Sequence, residues 1–558
     1  DLRLPILLLL LAACVACGGG GGGNSSVDTP ATTNEPQGPQ NPGPLPPPQT
    51  APKLVNIAGQ ISFDRVPHFA DGLGLDFAST TRQPARFVEV EALLADDEVI
   101  ATTTTDALGN YSLTVDASTM VRVRANAVLS EPAAEYGAVS VRDNTQGDAI
   151  YSLTGNLVSS TETDTARHLH APSGWNNGAY TEVRAAAPFA VLDTLHMARQ
   201  RLAAAEPGIA FPELRVFWSI DNRPAIGSLA DGEIGTSFYS DGAMYLLGRA
   251  GSDADEYDQH VIVHEWWHHL ERYFYRSESP GGPHSLSEHL DMRLAYSEGF
   301  ANAWSAIILA DSEYKDSGGV GQASGFTFSV ETLQTANPGW FNETSVQSII
   351  HDLLDNDIAG DADDNLRLEV GEVMRSIAIA QQGYVTFSSV FTLLSTLKYV
   401  YPELQSDIDA LILAQNINGP GIDFYAANET NDAGSIYALP VYTPLPQSGE
   451  AAQVCSSNDF GTLNKLANFR YLTFTVPEEG NYRVAVNRLS GMLTTDPDFV
   501  IYKLGETISL GRGLDVNQEI KELFLEAGDY TMEVVEFTNV DPSAAGGEAC
   551  FDVTLMPL

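Results

Sequence analysis

The chain has 558 residues, 44% of them hydrophobic, with Lys+Arg 29 against Asp+Glu 73 and a formal net charge of −44. That apolar content excludes a wholly disordered chain, and the length argues for about two to four domains. The acidic excess disfavours nucleic acid and anionic membrane surfaces as partners; it suits solubility first and attraction of basic substrates second.

Residues 1–17 read as an export signal. Arg3 precedes an apolar run from Leu4 to Ala13, too short for the ~20 residues that span a bilayer. Leu11-Ala-Ala-Cys14 fits a bacterial lipobox, and Cys17, directly before six glycines, is the competing acylation site. Residues 18–52, made of Gly, Ser, Asn, Thr and Pro, have almost nothing to bury and read as a tether. The expectation is a bacterial lipoprotein held on a membrane at the periplasm or cell surface, with plain secretion as the alternative.

Residues 53–130 alternate apolar and polar positions in short runs: 55–63, 86–93, 99–104, 111–115 and 121–125. The turn Thr105-Asp-Ala-Leu-Gly-Asn-Tyr111 resembles that of carboxypeptidase-regulatory-like β-sandwiches, which implies a non-catalytic antiparallel sandwich here. Residues 131–180 read as a connection with some β content, and His68 as an exposed loop residue.

Residues 181–445 carry the chemistry. A helix is expected over 185–205, ended by Pro207-Gly208, then strands at 214–220 and 242–248. A helix over 257–275 contains His264-Glu265-Trp266-Trp267-His268. Histidines four apart share one helical face, so both imidazoles can reach one zinc ion, and Glu265 can accept a proton from a water held there. Two His hold zinc poorly, and Glu298, on a second helix over 290–310 with 29 residues between it and His268, is the expected third ligand. His284 and His289 are lesser candidates for that place. A three-His set is excluded, because Glu271 and Phe274 stand where metzincin spacing needs Gly-type and His residues.

These stretches resemble the gluzincin metallopeptidases, whose zinc is held by the two His of HExxH and a Glu on the next helix. Ser297-Glu-Gly-Phe-Ala301 is similar to the NEGFA segment of the aminopeptidase clan, and Asp253 to Glu265 to the run-in of secreted bacterial peptidases with an HEWGH core. Trp267 departs from that core, which has Gly there. The resemblance implies an α+β zincin-like domain with a mainly helical second lobe, with Asn302 orienting His264. It implies also that Gly242, Ala243, Met244 and Tyr245 pair with extended substrate through their backbone. A gluzincin needs a donor to the oxyanion, for which His351 is the first candidate and Tyr296 a weaker one. Helices are expected at 346–354, 369–380, 388–399 and 402–415. The acidic loop 355–365 lacks EF-hand ligands at two positions, and Ca2+ there or at Asp253, Asp255 and Asp258 is a secondary expectation.

Residues 446–558 return to alternation, with matched turns Pro477-Glu-Glu-Gly-Asn-Tyr482 and Leu525-Glu-Ala-Gly-Asp-Tyr530. They resemble the pre-peptidase C-terminal β-sandwich. Cys455 and Cys550, 95 positions apart in an exported chain, read as a disulfide closing this segment. The chain as a whole is thus expected to be a multidomain, exported zinc metallopeptidase acting on peptides or proteins. The alternatives are a non-catalytic surface-binding protein on a zincin-like scaffold, and a zinc hydrolase of a non-peptide amide or ester.

Overall fold

The computed structural model describes residues 52–133, 135–355, 366–513 and 515–558. The expected leader with Cys14 and Cys17, the tether up to residue 51 and the acidic loop 356–365 lie outside the described residues. Among the described residues, no helix is long and apolar enough to cross a membrane.

The N-terminal strands form where the period-2 pattern places them: β1 (Leu54–Arg65), β2 (Val88–Leu93), β3 (Val99–Thr104), β4 (Asn110–Asp116) and β5 (Met120–Leu129). Every second residue of β4 and β5 is buried, so one face of each packs inward. β1 pairs antiparallel with β4, Ile57 opposite Leu113.

β2, β3 and β5 do not stop at a module boundary. β6 (Val139–Asp143) pairs with β5 on one side and with β7 (Leu214–Trp218) on the other. β8 (Phe238–Ser240) and β9 (Ala243–Leu246) complete a sheet in the order β8-β9-β7-β6-β5-β2-β3. The expected boundaries at 130 and 180 both fall within the span of this one sheet. One apolar core runs beneath it, from Val55 and Val123 through Leu192 and Val216 to Val263 and Phe300.

Two helices, α1 (Ala186–Ala205) and α2 (Gln259–Phe274), pack against that sheet, α3 (Met292–Leu309) packs on α2, and α4 (Glu343–Leu354) on α3. α3 is buried along its whole length except Ile307 and Leu309, because α2, α4 and the C-terminal region all close on it. Asp291 caps its first turn by accepting from Arg293 N at 3.0 Å. A hairpin that periodicity did not announce, β10 (Glu313–Gly318) and β11 (Ser324–Ser329), follows α3. α5 (Val370–Gly383), α6 (Val390–Val400) and α7 (Gln405–Ala414) complete a helical lobe.

Two antiparallel sheets close the chain, with their own core of Leu472, Phe474, Val484, Phe499, Met532 and Phe551. One sheet contains β13 (Phe469–Val476), β15 (Pro497–Lys503), β16 (Glu506–Gly511) and β18 (Gly528–Glu536), ordered β13-β18-β15-β16. The other is β12 (Ala452–Ser456), β19 (Ala549–Pro557), β14 (Gly480–Ser490) and β17 (Gln518–Leu525). Cys455 and Cys550 sit opposite each other in the β12–β19 register and form a disulfide with Cα atoms 3.9 Å apart.

Candidate metal centre

α2 and α3 pack side by side, and the sequence places donors on their facing sides. His264 and His268 are one turn apart on α2, and Glu298 is in the middle of α3. His264 Nε2 lies 3.1 Å from Glu298 Oε2 and 3.3 Å from His268 Nε2, and His268 Nε2 lies 3.4 Å from the same Glu298 oxygen. Donors about 2.0–2.1 Å from a tetrahedral zinc stand about 3.3 Å apart, so these three atoms fit the faces such an ion presents. Nothing needs to move to bring them together.

The remaining ring atoms are held by neighbours. His264 Nδ1 donates to Asn302 Oδ1 at 2.9 Å, and Asn302 Nδ2 donates in turn to Gln347 Oε1 on α4 at 3.1 Å. His268 Nδ1 faces Ser297 Oγ at 3.3 Å and Glu271 Oε2 at 3.6 Å, while Ser297 Oγ donates to Glu271 Oε2 at 2.7 Å. Acceptors at both Nδ1 atoms favour the proton there and turn the Nε2 atoms towards Glu298 as the donors available to a metal. Glu271 and Ser297 were not singled out in the sequence. The signal was there, since Glu271 is three residues after His268 and Ser297 adjoins Glu298.

Glu298 is buried, which works to raise its pKa, but the imidazoles of His284 and His268 hold it well below the ordinary carboxylate range. Glu265 is also buried, 7% exposed, and that burial raises its carboxyl above the usual value against the pull of His264 and His268.

His284, a lesser candidate by sequence, is at the site. Its Nε2 is 3.3 Å from Glu298 Oε2 and its Nδ1 is 2.7 Å from Glu343 Oε2 in the first turn of α4. Burial opposes its charge, but Glu298 and Glu343 raise its pKa to about 9. It is not one of the three mutually close donors. His289 stacks between Phe341 and Phe460 at 5.0 and 4.4 Å instead.

α3 and α4 run parallel at this contact, with Gly299 against Glu343 and Asn302 against Gln347. His351 is buried on α4, two turns, about 12 Å, beyond Glu343. One expectation is corrected. The strand Ala243–Leu246 cannot offer its backbone to substrate, because β7 pairs with one edge and β8 with the other. Asp241 (φ 50) and Gly242 (φ 80) make the reason visible. Both occupy the left-handed region, the type I′ geometry that Asp-Gly favours, so the chain folds back and β8 covers the edge. Gly242 is in the turn, and Tyr245 stacks between Phe217 and Phe238, each 4.9 Å away.

Trp267 finds its room between the helices. It is 1% exposed and stacks on Phe300 of α3 at 4.0 Å and 10°.

A family model described as the Mycolysin C-terminal domain matches residues 232–393, which include α2, α3 and α4. No curated protein matches the chain. Among solved structures, the pre-peptidase C-terminal domain of a collagenase from Bacillus anthracis is 14% identical, covering 20% of this chain and 93% of its own, with a TM-score of 0.15. A periplasmic inhibitor of g-type lysozyme from Aeromonas hydrophila is 15% identical, covering 21% and 96%, with a TM-score of 0.14.

Proposed function

We propose that this protein is an exported zinc metallopeptidase that hydrolyses peptide bonds. The match to the Mycolysin C-terminal domain supports a secreted, protease-type bacterial protein. The observation that carries the finer reading is the three-donor group of His264, His268 and Glu298, with Glu265 beside it on α2. A zinc ion bound there supplies a Lewis acid for the scissile carbonyl and an acidified water.

The chain's own groups do the rest. Glu265 has no place among the three donors, so its carboxylate is available to take the proton of the attacking water and return it to the leaving amine. Its burial makes it a stronger base than an exposed carboxylate. Asn302, Ser297 and Glu271 fix the tautomers of the two imidazoles. His284, pinned by Glu343 at Nδ1, sets its Nε2 3.3 Å from the Glu298 oxygen and so helps hold that carboxylate in place electrostatically. Export rests on the leader, and lipid attachment at Cys14 or Cys17 is part of the proposal. Labelled fatty acid should enter the protein and be lost when the acylated Cys becomes Ser.

The test is cleavage of a mixed peptide library by wild type and Glu265→Gln, each with its metal content measured. The variant should keep the metal and lose rate by about 10²–10⁴-fold. Equal turnover by the two would remove Glu265 from the mechanism. No cleavage by zinc-loaded wild type would favour a binding scaffold.

A further inference from the structure

A second cluster sits just before α2 and has no part in the chemistry above. Asp253 belongs to a two-residue strand, Asp253–Ala254, that pairs with Gly248–Arg249 and with Gly318 at the end of β10. Asp316 is on β10 itself, and Asp255 lies between that short strand and α2. One carboxylate oxygen from each of Asp253, Asp255 and Asp316 lies within 4.8 Å of the other two.

The cluster contains acceptors with nothing to accept from. Asp255 is 2% exposed; its Oδ2 accepts from Ser237 Oγ, but its Oδ1 is buried and has no hydrogen-bond partner. Asp253 Oδ1 is in the same state. Outside the acids, Gln322 is 0% exposed and its Oε1 is also without a partner. Its Nε2 donates to Ala254 O at 3.3 Å and to Ser317 Oγ at 3.2 Å, which wedges the amide between the two segments that carry the carboxylates.

The described residues supply no counter-charge. Among the described residues, no Lys, Arg or His forms an ion pair with Asp253, Asp255 or Asp316. The adjoining Asp258 adds negative charge and is already engaged, accepting from Ser317 N and Oγ at 2.9 Å and facing His68 Nε2 at 3.0 Å. His68 is therefore an inner neighbour of this cluster and not the exposed loop residue expected. A buried carboxylate without a partner costs several kcal/mol, and three so close must either hold protons or share a cation. Burial and the neighbouring carboxylates push Asp255 well above its ordinary range and Asp316 up to about 9.

We propose that Asp253, Asp255 and Asp316 bind a hard divalent cation, calcium by preference, that fastens the segment leading into α2 to the hairpin β10–β11. The donors are all oxygen, with no imidazole or thiolate to select zinc or copper. The spacing fits within the ~4.6–5.2 Å that separates opposite oxygens around calcium. The ion would hold the start of the helix bearing His264, Glu265 and His268, and so act on stability from outside the zinc site.

The full-length, zinc-loaded protein, freed of calcium by dialysis, would be unfolded thermally with and without millimolar CaCl2 or MgCl2. Calcium should raise the midpoint by about 2–4 °C and magnesium by less. Asp255→Asn and Asp316→Asn should abolish the rise, and His268→Ala should retain it, so loss of the zinc assignment leaves this one standing. A second measurement needs no variant to fold. Terbium bound at the cluster should luminesce when Tyr314, two residues before Asp316 on β10, is excited, and calcium should displace it. A midpoint indifferent to calcium, a full rise in both Asn variants, or no terbium signal that calcium removes would overturn the proposal.

Discussion

At the scale of single residues, the centre is built from pairs a few positions apart in the chain. The shared face of His264 and His268 was legible because helical periodicity turns spacing into geometry, whereas Asn302 came from the resemblance and Ser297, beside Glu298, was passed over. His284 was harder to place, because it comes from a loop whose path no local rule fixes. Its anchor, Glu343, is 59 residues away. His351 lies two turns further along α4 than Glu343. The two should separate in a metal titration. His284→Ala should weaken zinc affinity about 10–100-fold, as loss of a group that holds a metal ligand does. His351→Ala should leave that affinity unchanged. Trp267 is a packing residue in place of a smaller one, and Trp267→Ala should cost about 3–5 kcal/mol of stability in denaturant unfolding, with the metal still bound by the folded protein.

At the scale of elements, the long helices and the strongly alternating strands were readable, while short strands such as β8, β10 and β16 were missed and pairing was not readable. The alternation in β9 predicts a strand equally well at an edge or in the interior. The Asp241-Gly242 turn decides between them by folding β8 against it. The approach of α3 to α4 rests on Gly299. A Cβ there would stand 2.7 Å from the Glu343 carbonyl oxygen and 2.7 Å from Val346 Cβ. Gly299→Ala should therefore destabilise the fold by about 1–3 kcal/mol through overpacking. Because it displaces the turn bearing Glu343, it should also lower metal affinity, which a competing chelator would measure. In the C-terminal sandwich, burial and then the carboxylate of Asp496 push Asp498 up to about 7. A carboxyl raised on folding binds more protons in the native state than in the unfolded one, so its contribution is present below about pH 4 and is lost as pH rises towards 7. Asp498→Asn should flatten the fall in thermal midpoint over that window.

At the scale of the whole molecule, the sequence suggested separable modules, and the structure joins them. The N-terminal strands share a sheet with β7 and β9, a long-range pairing that local patterning does not reveal. The C-terminal sandwich keeps its own core but reaches the first turn of α3. Arg293, 3% exposed, donates to Glu533 of β18 at 2.6 Å and to Asp291 at 2.9 Å, and lies over the rings of Phe387 and Tyr471. Glu533→Gln should cost about 3 kcal/mol, the lower end for breaking a buried pair because Asp291 remains. Calorimetry should show this loss in the transition that unfolds α2 and α3. The central claim, that α2 and α3 together make one zinc site, is tested most directly by metal content. Wild type and Glu265→Gln should each hold one zinc per chain after dialysis, while Glu298→Ala, folded by circular dichroism, should hold far less. Full zinc occupancy in Glu298→Ala, or none in wild type, would contradict the account.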